Sequence, residues 1–114
     1  QYAAKGKDGG TGLRVEGYAS AGSAAYTEGQ TSWEATFEVR VWENDVEITS
    51  KLPSTRFVWE RVSEDEAGDA AWKDRHSNDG YKINVTYDDL MGDTSFVCKF
   101  LTPSGKKVLT SITF

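Results

Sequence analysis

Alternation of apolar and polar residues is the dominant signal along this chain, and it is clearest in Trp33–Trp42, WEATFEVRVW. Ala35, Phe37, Val39 and Val41 fall on one side of that segment, and Glu34, Thr36, Glu38 and Arg40 on the other. A period of two over this length predicts a strand with one face in the core and one in water. The stretch Thr55–Val62, TRFVWERV, repeats the pattern with Phe57, Trp59 and Arg61 opposite Arg56, Val58 and Glu60. Trp59 is the natural pivot of the fold, because an indole buries a large apolar area and must be covered from several directions.

Weaker alternation predicts further strands. Leu13–Tyr18 sets Leu13 and Val15 against Arg14 and Glu16, and Val46–Thr49 is a short extended piece. Lys82–Tyr87 aligns Ile83, Val85 and Tyr87 with the preceding Tyr81. Thr94–Leu101 aligns Phe96, Cys98 and Phe100, and Lys107–Phe114 aligns Val108, Thr110, Ile112 and Phe114. Turn chemistry punctuates these runs at Asn44-Asp45, Asp88–Asp93 and Thr102-Pro103-Ser104-Gly105. Pro53 cannot donate to a ladder, so it belongs at the entry to the Trp59 strand. Ser63–Asp79 alone lacks strand character. Its Ala-rich middle predicts one short helical turn, with Asp69 as N-cap and its end near His76. Residues 1–12 are glycine-rich and read as a flexible lead or linker. Ala19–Thr31 reads as a loop anchored by Tyr26. Residues 13–114 are therefore expected to form one all-β domain, an antiparallel β-sandwich of about seven strands, with a closed barrel as the alternative.

Composition narrows the function classes. With 13 basic and 18 acidic residues the net charge is −5, and no basic patch suited to a phosphate backbone is visible, so nucleic acid is not an expected partner. No run approaches the length of a membrane span. The start, QYAAKGKDGG, lacks the apolar stretch of a signal peptide and is expected to be the cut end of a longer protein. Cys98 is the single cysteine, which forbids an intrachain disulfide. Packing must then hold the strands together, and Phe37, Val39, Trp59, Phe96 and Cys98 are the expected core scaffold.

Few residues suggest chemistry. Cys98 with His76 is the one nucleophile–base pairing available, but alternation puts Cys98 beside Phe96 and Phe100 in the core, where a thiol is inert. His76 is the only histidine and suits a helix end better than acid–base work. The acids Glu64, Asp65, Glu66, Asp69, Asp74 and Asp79, or Asp88, Asp89 and Asp93, could gather around calcium, yet neither set has the regular loop spacing; solvated loop charge is the simpler reading. Asn84-Val85-Thr86 fits the glycosylation pattern but lies within a strand. No catalytic residue, cofactor or metal is expected. Trp33, Trp42 and Trp72 remain. Trp42 lies opposite Phe37 and Val39, so it faces outward to stack on a sugar ring or a neighbouring subunit, or else packs beneath the 63–79 loop beside Trp72. Trp72 reads as a lid pinning that acidic loop, and with Trp42 it is the candidate binding residue.

The order of these features resembles an immunoglobulin-like domain. Trp59 stands on the strand where such domains keep a core tryptophan, and Phe96-Val97-Cys98 resembles their Tyr-x-Cys, with Phe37 or Val39 where the partner cysteine would stand. A narrower resemblance covers about residues 33–101. Asn44-Asp45-Val46 with Ile48-Thr49, the Phe57–Arg61 strand, Asp69-Ala70-Ala71-Trp72 with His76, and Phe96-Val97-Cys98 are together similar to immunoglobulin-like modules of tail-tip, baseplate and tail-fibre proteins of tailed bacteriophages. That resemblance implies a non-catalytic module of the virion tail, and so an extracellular one. It would space or present neighbouring modules or subunits and adhere weakly to host-surface glycans. A carbohydrate-binding or adhesin module of a bacterial surface protein or enzyme is the alternative expectation.

Overall fold

The computed structural model describes residues 2–4, 12–20 and 32–114. These form two antiparallel sheets, one α-helix and short 3-10 turns. In chain order the elements are β1 (Tyr2–Ala4), β2 (Leu13–Ala19), β3 (Glu34–Glu43), β4 (Val46–Glu47), β5 (Phe57–Val62), α1 (Glu66–Arg75), β6 (Lys82–Thr86), β7 (Ser95–Leu101) and β8 (Val108–Thr113). The first sheet runs β1-β2-β3, and β3 takes β6 along its first half and β4 at its last two residues. The second runs β5-β7-β8.

The alternation in the sequence becomes the burial pattern directly. Ala35, Phe37, Val39 and Val41 of β3 are buried, as are Phe57 and Trp59 of β5 and Phe96, Cys98 and Phe100 of β7. They join Val15, Ile83, Val85 and Ile112 in one cluster between the sheets. The expected scaffold of Phe37, Val39, Trp59, Phe96 and Cys98 lies within it. Ring contacts bridge the sheets: Phe37 stacks on Phe114 at 4.6 Å between centroids, and Trp59 meets the same ring at 5.6 Å. Gly17 makes the seam possible, since a Cβ there would come within 2.5 Å of Ile112 Cγ2. Trp59 also donates its indole N–H to the Gly80 carbonyl at 2.7 Å, so the polar edge of the buried ring is satisfied.

Several boundaries differ from expectation. The lead expected to be a flexible linker contributes β1, which pairs Tyr2 with Gly17 and Ala4 with Val15; Gln1, residues 5–11 and the expected Tyr26 anchor lie outside the described residues. The helix is a full ten residues, not one short turn, and Asp65 rather than Asp69 caps it, accepting from the Gly68 N–H at 3.0 Å. Tyr81 and Tyr87, aligned by period with Ile83 and Val85, flank β6 and are exposed. Val108 is exposed because the ladder shifts register between Phe100 and Leu101, which turns the start of β8 away from the core. The extended piece at 46–49 shortens to Val46–Glu47 after a two-residue turn, where Asn44 and Asp45 adopt φ of 51° and 69°. Positive φ at both positions matches the right-handed twist of the hairpin strands.

Strand directions give the molecule two ends. The 43–46 turn, Phe57 and the 102–107 turn lie at the first, while Glu34, Val62 and the 87–95 connection lie at the second. Emptying the Trp59 site removes both the ring contacts and the Gly80 bond. Trp59→Ala should therefore cost about 3–5 kcal/mol in denaturant melts, and a loss under about 1 kcal/mol would remove Trp59 from its central place.

Candidate functional site

The outward face of β2 and β3 is built from three cross-strand pairs: Arg14 opposite Trp42, Glu16 opposite Arg40, and Tyr18 opposite Glu38. Each pair follows from the period of two, which sends alternate residues of both strands outward together. The Arg14 guanidinium lies over the Trp42 ring at 4.6 Å, and that of Arg40 over Tyr18 at 4.5 Å. Arg14 also pairs with Glu16 at 3.1 Å, Arg40 with Glu38 at 3.1 Å, and the Tyr18 hydroxyl donates to Glu16. The hydrogen bond to Glu16, helped by burial, raises the Tyr18 pKa above its ordinary value. Toward the second end of the molecule the face opens into a shallow depression of about 460 Å³ lined by Ser20, Glu34, Ala35, Thr36, Asn84 and Thr86. There Thr36 donates to the Asn84 side-chain carbonyl at 2.6 Å. Two aromatic rings thus share a face with a run of hydroxyl, amide and carboxylate groups.

Trp42 is half-buried on this face, as its alternation predicts, and it does not pack beside Trp72. Trp72 is fully buried at the other side of the core. It stacks on His76 at 4.1 Å, meets Phe96 at 5.4 Å and donates its indole N–H to Asp89 at 3.0 Å. Its ring offers no open surface to a ligand; it pins the helix to the second sheet. Trp33 is buried as well.

The groups with catalytic potential are placed structurally. Cys98 is buried, and burial pushes its thiol pKa far up, away from the reactive thiolate. His76 forms the C-cap of α1 and contacts Asp79 at 2.6 Å through Nδ1. Among the described residues, no group of three or more His, Cys, Asp or Glu side chains is placed to hold a metal ion. No described helix is long and apolar enough to cross a membrane.

The most tightly bonded polar cluster was not evident in the sequence. Arg61, at the end of β5, is only 6% exposed. Its Nε donates to Asp69 at 2.5 Å, its Nη1 to the Asp89 carbonyl at 3.2 Å, and its Nη2 lies 3.8 Å from Asp65. Asp69 in turn accepts from the Ser63 N–H and hydroxyl. Burial works against the charged form of Asp69, but the bonds from Ser63 and Arg61 outweigh it and hold the carboxyl below its ordinary pKa. The acids expected as solvated loop charge are therefore divided: Asp65, Asp69 and Asp89 lock α1 and the 87–89 turn onto β5, while Glu64, Glu66 and Asp88 face solvent.

Compared with known proteins, the chain matches no family model, no curated protein and no solved structure.

Two outcomes follow from the Arg61 cluster. Because the folded Asp69 carboxyl titrates below its unfolded value, its contribution is complete above the ordinary carboxylate range and is lost as pH falls through the folded value. The stability gap between wild type and Asp69→Asn should be widest near neutrality and close in acid; a pH-independent gap in denaturant melts would contradict this. Gly68→Ala should lower the melting midpoint, although alanine ordinarily favours a helix over glycine by roughly 0.5–1 kcal/mol. A Cβ at Gly68 would collide with the Asp65 carboxylate and come within 2.8 Å of Arg61 Nη2. A raised midpoint would show that the helix and the guanidinium are not closely packed.

Proposed function

We infer that the chain is a non-catalytic, immunoglobulin-like module of a tailed-bacteriophage tail-tip, baseplate or tail-fibre protein, working as a scaffold that spaces or presents neighbouring parts and holds surface glycan weakly. The strand order supports the immunoglobulin-like reading. Three strands, β2-β3-β6, face a sheet of β5-β7-β8, with a Trp on the first strand of the second sheet and β7 carrying Phe96 and Cys98 between its neighbours. The helix α1 stands in the connection where a further strand would cross. The phage-tail setting rests on the resemblance of residues 33–101 in sequence.

The observation that carries the adhesive part is the outward β2–β3 face. Trp42 and Tyr18 supply flat apolar surface for the C–H face of a sugar ring. Thr36, Asn84 and Glu34 supply hydroxyl-binding groups in the adjoining depression. Arg14 covers the Trp42 ring, so a sugar must displace it. That competition makes a single contact weak, which suits a many-copy appendage whose linked sites raise effective concentration. The alternative, a carbohydrate-binding or adhesin module of a bacterial surface protein, draws on the same face but requires measurable affinity from one copy.

Glycan-array and host-cell binding of the chain, displayed singly and as a multimer, tests both readings. The multimer should bind, Trp42→Ala should weaken it by about tenfold or more, equivalent to about 1.4 kcal/mol, and Arg14→Ala should not weaken it. Binding by the single copy would favour the alternative. No binding in either format, or equal binding by wild type and Trp42→Ala, would remove adhesion from the proposal.

A further inference from the structure

The β7–β8 turn at the first end and a groove at the second carry unlike charge, and each has exposed apolar side chains beside it. At the second end a groove of about 560 Å³ is lined by Glu64, Asp65, Leu90, Met91 and Gly92. Met91 in this lining is 42% exposed, and Val62 at the adjacent end of β5 is 53% exposed. Glu64, Glu66, Asp88 and Asp93 stand around this end, and its one arginine, Arg61, is buried in its own bonds. At the first end the β7–β8 turn projects Lys106 and Lys107, both exposed, directly before Val108, 49% exposed. The turn is closed on itself by Thr102 N–H to Lys107 carbonyl and Gly105 N–H to Thr102 carbonyl bonds, so it is a preformed, narrow projection.

We propose that copies of this chain associate head to tail, the Lys106-Lys107-Val108 turn of one copy seating in the Glu64–Met91 groove of the next. Val108 covers Leu90 and Met91, while the two lysines meet the acids at the rim. The occupant is a second copy because Lys106, Lys107 and Val108, exposed together on the described surface, offer the positive charge and the apolar side chain that complement Glu64 and Met91 of the groove. The contact joins different patches of the two partners, so repetition yields an open row rather than a closed dimer. Exposed ion pairs contribute little individually and are screened by salt, so the row is weak and strengthens when copies are linked or concentrated. This inference is independent of the Trp42 face.

Sedimentation equilibrium of the full chain at millimolar concentration should show dimers and longer species at about 0.01 M ionic strength that dissociate near 1 M, where the Debye length falls to about 3 Å. Lys106→Glu/Lys107→Glu and Glu64→Lys/Asp93→Lys should each be monomeric, and mixing the two variants should restore association through their complementary ends. Concentration-dependent amide shifts of the unmodified chain should map to residues 104–108 and to 64, 65 and 90–92, which keeps the test valid if a variant unfolds. A monomer at low salt, association that salt strengthens, or shifts confined to other surfaces would overturn the proposal.

Discussion

Among the described residues, Arg61 carries the one charge placed almost wholly out of water, and the arrangement of α1 and of the 87–89 turn depends on it. A guanidinium cannot shed its proton to escape burial, so its charge must be met by partners. Asp69, Asp65 and the Asp89 carbonyl meet it from two different segments. Such a pair often adds little net stability against a well-packed apolar substitute, but removing one partner alone is costly, about 3–5 kcal/mol. Its larger effect is directional. The fork of donors has one geometry that satisfies both segments, so it fixes where the helix starts and how it crosses β5.

The apolar core and this polar cluster reinforce one another. Trp72 is the single buried residue of α1, and its ring reaches Phe96 on β7 while its N–H bonds Asp89. Asp89 also accepts from the Thr86 N–H at 2.8 Å. From Phe96 the ring contacts continue to Phe37 on the first sheet and on to Phe114 and Trp59. Aromatic contacts therefore run without a break from helix to second sheet to first sheet, which is how the molecule holds together around an unpaired cysteine. Along the edge, Glu60 receives Lys73 from α1 and Lys99 from β7, each at 3.1 Å. Burial opposes ionisation there, but the two lysines outweigh it and lower the carboxyl's pKa. The helix covers part of the β5 edge in this way, blunting a strand that would otherwise offer unpaired backbone groups.

Features encoded by near neighbours were legible in the sequence. Strict alternation in β3 and β5 identified their buried faces residue by residue, because a strand's period is fixed by its own backbone. The helix was legible only as a short turn ending near His76, not at its full length or with its true cap. With only Trp72 buried, α1 has no repeating apolar stripe, and its Asp65 and Asp69 are interchangeable by propensity until Arg61 distinguishes them. The clue available was Arg61 itself, a charge in phase with Phe57 and Trp59, and therefore in need of partners. Trp42 was placed outward correctly by phase, but its cover came from Arg14, whose position opposite it depends on the β2–β3 register. The β8 shift at Phe100 and Leu101 was hidden for the same reason: a bulge is a property of a pair of strands, not of either sequence alone.

These placements divide the surface by how much work a partner must do. On the β2–β3 face every large outward group already has a companion: Arg14 lies on Trp42, Arg40 lies on Tyr18, and the carboxylates hold the guanidinium groups. A ligand there gains only what remains after those contacts are disturbed. At the two ends the situation is reversed. Lys106, Lys107 and Val108 are held in a tight turn that leaves their side chains exposed, and Met91 and Val62 remain exposed beside acids. A contact at either end would remove apolar surface from water without disturbing the paired groups of the broad face. Exposed apolar side chains next to charge are thus found at the ends, whereas the broad face keeps its large outward groups paired within the chain.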